Sequence, residues 1–170
     1  MVLEVLTYPN KILYEKSKEV TKFDAEFGKF LDDMYETMIA KSGIGLAAIQ
    51  VGKPIQALVI NLADEEGIQN KADLLEIINP KIIKANGEQI YQEGCLSVPG
   101  FYEDVKRAEN IVLKYQNRNG ESCELKADGL LAVCIQHEID HLNGHLFIER
   151  IGYNKRKKFN QEFKKKQKEK

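Results

Sequence analysis

No run of about 18 apolar residues occurs in this 170-residue chain, which removes a membrane-spanning helix from consideration. Residues 1–10 show no basic start followed by an apolar stretch, so no secretory signal is expected and no membrane partner is implied. Cysteine is scarce: Cys95, Cys123 and Cys134 are an odd number, too few to staple a domain of this size. Without a signal they point to a reducing cytoplasm, where thiols serve as ligands or packing. Linkers rich in Pro, Gly or Ser, internal repeats and low-complexity stretches are missing before the lysine-rich end. One domain is therefore expected, residues 1–153, with a basic helix at 154–170 belonging to the same unit.

A strong net charge is also missing, since the total is −1, but that total hides an asymmetry. Residues 154–170 carry nine Lys/Arg against Glu162 and Glu169, or +7, and the remainder carries 16 basic against 24 acidic side chains, or −8. An acidic body with a basic tail suggests a polyanionic partner for the tail alone.

Periodicity supplies the elements. Phe27, Phe30, Leu31, Met34 and Met38 share one face of a helix over 24–40, which Gly43 and Gly45 are expected to stop. The β-branched and apolar run 55–61 predicts a buried strand. Pro80, amid Ile77, Ile78, Ile82 and Ile83, predicts two short strands or an edge strand over 74–84. Runs 111–116 and 122–127 flank Asn119-Gly120, a hairpin signal. Helical periodicity returns over 129–143, capped by Gly144, and again over 154–170 with Phe159 and Phe163 one turn apart. The expected class is α+β: mixed or antiparallel strands packed around a central helix, with one helix before and one after.

That central helix carries His137-Glu138-Ile139-Asp140-His141. Side chains four apart lie one turn above each other, so both imidazoles can reach one ion while Glu138 stands close to it. A solvated helix with two incidental histidines is the bland alternative, and with three His in the chain the spacing argues against it. Two ligands do not complete a site. Cys134 is about 10 Å from His141 along the axis and is expected to pack beside the site, and His145 lies past the helix end with a surface role. The metzincin protease pattern needs a histidine at position 147, where Phe147 stands. A thermolysin-like site would need Glu162, which sits in the lysine-rich tail. Both protease readings fail at the third ligand.

Two other segments bear on the question. Glu93-Gly94-Cys95-Leu96-Ser97 suits a tight turn presenting sulfur inward, although a single cysteine taken alone is more often packing. Gly43-Ile44-Gly45-Leu46-Ala47-Ala48-Ile49-Gln50 places two glycines where another backbone can approach. A phosphate loop is the competing reading, but no Lys-Ser/Thr follows the glycines.

Together the three segments resemble the peptide deformylase family, whose motifs G-x-G-L-A-A-x-Q, E-G-C-L-S and H-E-x-x-H occur here complete and in order. The resemblance runs from Tyr8-Pro9 to the basic terminal helix of the common bacterial form. It implies that Cys95, His137 and His141 bind one divalent metal ion, Fe²⁺ in cells with Zn²⁺, Ni²⁺ or Co²⁺ as substitutes. Glu138 is implied as general acid/base, with Gln50 and the Leu96 backbone N–H as oxyanion donors. Ile44 and Gly45 would pair with the substrate backbone, and Ile44, Tyr91, Leu130, Val133 and His137 would line a methionine pocket. Glu93 and Arg107 match a structural ion pair of the family, whereas Tyr102 replaces an arginine common near the substrate's outer residues. The implied substrates are N-formylmethionyl nascent peptides, hydrolysed to formate by a monomeric cytoplasmic enzyme that contacts the ribosome through residues 154–170. A different class of protein, a metal-braced module without activity, would need a fourth protein ligand, and Cys123, Cys134 and His145 are each badly placed for it.

Overall fold

Asp24 starts the first helix by accepting a hydrogen bond from the Phe27 N–H at 2.9 Å, which caps one of the free donors of the first turn. The structure, a computed structural model, describes residues 1–169, so Lys170, counted in the basic tail, lies outside the described residues. Helix α1 (Ala25–Ala40) buries Phe27, Phe30, Leu31, Met34 and Met38, the face that periodicity assigned. Its end differs from expectation. Ser42, at φ 58°, turns the chain before either glycine, the Gly43 N–H closes on Met38 O at 2.8 Å, and Gly45 already opens strand β1 (Gly45–Ala47).

Strand β2 (Ala57–Ile60) is buried along its whole length. Leu58 and Ile60 face one apolar cluster and Ala57 and Val59 another, which is why the run shows no polar alternation. Strand β3 (Leu75–Asn86) corrects the reading of Pro80. It is one strand in the middle of a five-stranded antiparallel sheet, because a register shift between Ile78 and Lys81 takes Pro80 out of the ladder. Asn79, at φ 51°, fills the gap. Its side chain accepts from Val20 N (2.8 Å) and donates to Val20 O (2.8 Å) and Gln116 Oε1 (2.7 Å).

Strands β4 (Gln89–Cys95) and β5 (Val98–Arg107) form a separate antiparallel hairpin that sequence reading did not resolve beyond its turn. Cys95 pairs with Val98, so Leu96 and Ser97 are that turn. Strands β6 (Asn110–Gln116) and β7 (Ser122–Asp128) form the expected hairpin. Gly120 at φ 80° and the Asn117 side chain, which accepts from Asn119 N and Glu121 N, shape the loop. The sheet order is β1-β2-β3-β6-β7, every adjacent pair antiparallel, with one isolated parallel bridge between Lys18 and Ile55.

Helix α2 (Gly129–Leu142) lies against one face of the sheet through Ala132, Ile135 and Leu142, and α1 against the other. Helix α3 (Tyr153–Lys168) inserts Phe159 into a third cluster with Leu13, Val98, Phe101 and Phe147. Phe159 meets Phe101 edge-on at 4.6 Å, and Phe101 stacks on Phe147. The described helices include none long and apolar enough to cross a membrane.

Candidate metal centre and active site

Helical pitch brings His137 and His141 to one face of α2, their ring centroids 5.0 Å apart. Strand β4 delivers Cys95 to the same point, where its Sγ lies 3.3 Å from His141 Nε2. One ligand atom from each of Cys95, His137 and His141 falls within 4.8 Å of the other two. Cys134, though on α2, is packed into the core instead, and burial pushes its thiol up to about 12. His145 is exposed and faces Glu149 at 3.3 Å. Phe147 is buried and stacked on the His137 ring at 6.0 Å, while Glu162 is exposed on α3. Neither protease-type third ligand is therefore present.

The surroundings fit a cation. His137 Nδ1 lies 2.8 Å from Glu93 Oε1, so the hydrogen-bond network assigns the proton to Nδ1 and turns Nε2 toward the site. Burial alone would lower His137, but Cys95 and Glu93 outweigh it and hold the imidazole well above its ordinary value. The spot between thiol and ring thus favours positive charge. His141, by contrast, is held well below its ordinary value by burial and by His137, which keeps its ring neutral and fit to ligate. His141 Nδ1 and Glu138 Oε2 are buried with no hydrogen-bond partner among the described residues. A thiolate and two imidazoles form a donor set suited to zinc or ferrous iron.

Glu138 Oε1 stands 3.9 Å from His137 Nε2, and burial pushes its carboxyl up to about 7. Gly45 makes room for it: a Cβ there would lie 3.0 Å from Glu138 Oε1. The other motif glycines have similar reasons. A Cβ on Gly43 would meet Leu96 at 2.8 Å, and one on Gly94 would run into the Tyr102 ring. Gln50, buried, accepts from Ala47 N at 2.9 Å, donates to Ser97 Oγ at 3.0 Å and faces Cys95 Sγ at 3.5 Å.

A cleft of about 550 Å³ opens beside these groups. Ile44, Gly45, Gln50, Tyr91, Cys95, Leu96, Leu130, Val133, His137 and Glu138 all line it, as do the exposed Tyr102 and Lys41. The Glu93–Arg107 pair is bidentate at 2.8 Å and 2.8 Å. Hydrogen bonds from Arg107 and His137 overcome burial and hold the Glu93 carboxyl below its ordinary value. Sequence reading missed Ser97, whose hydroxyl accepts from Gln50 and whose N–H faces Cys95 Sγ at 3.4 Å. It also missed Asp140, which accepts from Arg107 at 2.6 Å. A buried acidic residue between two histidines was the one available signal for Asp140, and Ser97 had none apart from its place in the motif.

Three convergent soft and borderline donors, a buried carboxylic acid and an open cleft are the constellation of a metal-dependent amide hydrolase. The chain belongs to the polypeptide deformylase family, whose sequence model matches residues 2–157. It is 59% identical over 168 residues to a peptide deformylase of Helicobacter pylori (strain HPAG1), covering 99% of this chain and 97% of that protein. It is 60% identical over 169 residues to one from Campylobacter jejuni, with 99% and 97% covered. Among solved structures, a peptide deformylase from Legionella pneumophila superposes with a TM-score of 0.89 at 39% identity, covering 100% of this chain and 99% of that one. One from Ehrlichia chaffeensis in complex with actinonin gives 0.87 at 43%, with 97% of each chain covered. The chain is a metal-dependent hydrolase that removes the formyl group from nascent peptides.

Proposed function

We propose that Cys95, His137 and His141 hold one divalent ion per chain and that Glu138 moves the proton when the formyl amide of an N-formylmethionyl peptide is hydrolysed. The observation carrying this reading is the convergence of the three ligand atoms within 4.8 Å beside the cleft. The ion supplies Lewis acidity when bound, lowering the pKa of water and polarising the formyl oxygen. Ile44, Tyr91, Leu130 and Val133 surround the methionine side chain. Strand β1 is the edge of its sheet, so the backbone at Ile44 and Gly45 can pair with an extended substrate. Gln50 Nε2 gives one N–H to Ser97 Oγ and turns the other toward Cys95 Sγ; redirected to the tetrahedral oxyanion, that second N–H stabilises it together with the Leu96 N–H. Losing one such donor costs about 10²–10³ in rate. Glu138 accepts a proton from the attacking water and returns it to the departing amine, a cycle suited to a carboxyl near neutrality.

The native ion on this reading is Fe²⁺, with Zn²⁺, Ni²⁺ or Co²⁺ as substitutes. The enzyme works as a cytoplasmic monomer, residues 1–153 and the basic segment 154–170 belong to one unit, and the exposed lysines of α3 contact ribosomal RNA. Formate release from a formyl-Met tripeptide tests the chemistry. Glu138→Gln is expected to keep its metal and lose most turnover, and near-normal activity would remove Glu138 from this role. Cys95→Ser should lose metal on dialysis while Cys134→Ser retains it. Equal retention would mean the wrong thiol.

A further inference from the structure

The site residues account for Glu93 and Arg107, but the charged chain they begin continues to the surface. His137 Nδ1 meets Glu93 at 2.8 Å, and Arg107 holds both Glu93 oxygens at 2.8 Å. Arg107 Nη1 donates to Asp140 Oδ2 at 2.6 Å, and Arg150 grips Asp140 through Nε at 2.5 Å and Nη2 at 2.7 Å. Glu93, Arg107 and Asp140 are buried, whereas the Arg150 side chain is 47% exposed. Charges therefore alternate along one continuous path from a solvent-facing guanidinium to a ring of the metal centre.

We propose that Asp140 and Arg150 are positioning residues that set the strength of His137 as a ligand through Arg107 and Glu93. A buried hydrogen bond is polarised by its neighbours, and the partner of a ligating imidazole tunes its basicity. Removing the Asp140 charge leaves Arg107 to draw harder on Glu93, which then accepts less from His137. Removing the Arg150 charge frees Asp140 to draw on Arg107, and Glu93 then accepts more. The two substitutions act with opposite signs. A bracing role would move both the same way.

The inference rests on His137 being a ligand, so His137→Ala is measured alongside. Zn²⁺-loaded protein is challenged with excess chelator, and the His137 Nδ1 proton is followed by NMR. Asp140→Asn is expected to release Zn²⁺ about threefold faster with an upfield shift, and Arg150→Gln about threefold slower with a downfield shift, both smaller than direct partners of metal ligands give. Arg150→Lys should restore the wild-type values. Changes of the same sign, no change in either variant, or altered release without a proton shift would overturn the relay. If Asp140→Asn does not fold, the sign of the Arg150→Gln effect decides. Zn²⁺ retained by His137→Ala would instead overturn the ligand assignment.

Discussion

Gly45→Ala should separate catalysis from stability more cleanly than any change to a charged group. Gly45, in β1, pairs with Ile60 of β2 and lies outside the left-handed region, so alanine is conformationally acceptable. Stiffening the unfolded chain contributes about 0.4–1 kcal/mol in favour of the variant. The new methyl would sit 3.0 Å from Glu138 Oε1, 3.3 Å from its Cδ and 3.4 Å from its Cγ. Glu138 is almost fully buried on α2, so it yields by a few tenths of an ångström instead of swinging away. A misplacement of about 1 Å at a reacting group costs about 10²-fold, which scales to a loss of roughly tenfold here. Formate release measured over a range of formyl-Met peptide concentrations should show kcat falling about tenfold with KM nearly unchanged, while metal content and the urea midpoint stay near wild type. An unchanged kcat with a raised KM would refute the reasoning, since the space would then belong to substrate.

Three further outcomes follow from other parts of the structure. Cys134, its thiol pushed up to about 12 by burial, is only ~10⁻⁴ thiolate at pH 8, so iodoacetamide should label half-buried Cys123 and spare Cys134 in peptide mass spectra; equal labelling would refute the burial argument. Asn79→Ala removes three hydrogen bonds at a left-handed residue and should cost about 2–4 kcal/mol in urea unfolding, with a loss below about 1 kcal/mol counting against the role given to Asn79. Converting Lys157, Lys158, Lys164 and Lys165, all exposed on α3, to Glu should abolish salt-sensitive co-sedimentation with ribosomes while short-peptide activity persists. Identical sedimentation at low salt would show that α3 is not the anchor. Charge reversal is preferable to deleting the helix, because buried Phe159 packs on Phe101, which in turn stacks on Phe147 over His137.

Where a local period governs the structure, the sequence was readable. The apolar face of α1, the buried strand β2, the β6–β7 hairpin and helix α2 all follow from spacing and turn chemistry. So does the pairing of His137 with His141, because four residues is one helical turn. Cys95 was different. It reaches those histidines only through the β4–β5 turn, a contact between distant segments that no local period encodes, and the family motifs alone pointed to it. Pro80 misled for a related reason: the rule that proline marks an edge assumes an unbroken ladder, and the bulge with Asn79 in the left-handed region lifts that assumption.

The β4–β5 hairpin escaped notice because its inward positions do not look like inward positions. Glu93 and Arg107 are buried there, so the alternation of apolar and polar residues that reveals a half-buried strand is broken. Burying ions is costly unless each finds partners, and here Glu93 is matched by Arg107 and His137, and Arg107 by Asp140. A hydrophobic pair in those places would have made the strands legible and left His137 without its acceptor. The residues that conceal this part of the fold are the same ones that aim the His137 ring at the candidate metal centre, as expected where local pattern is overridden by the needs of a site.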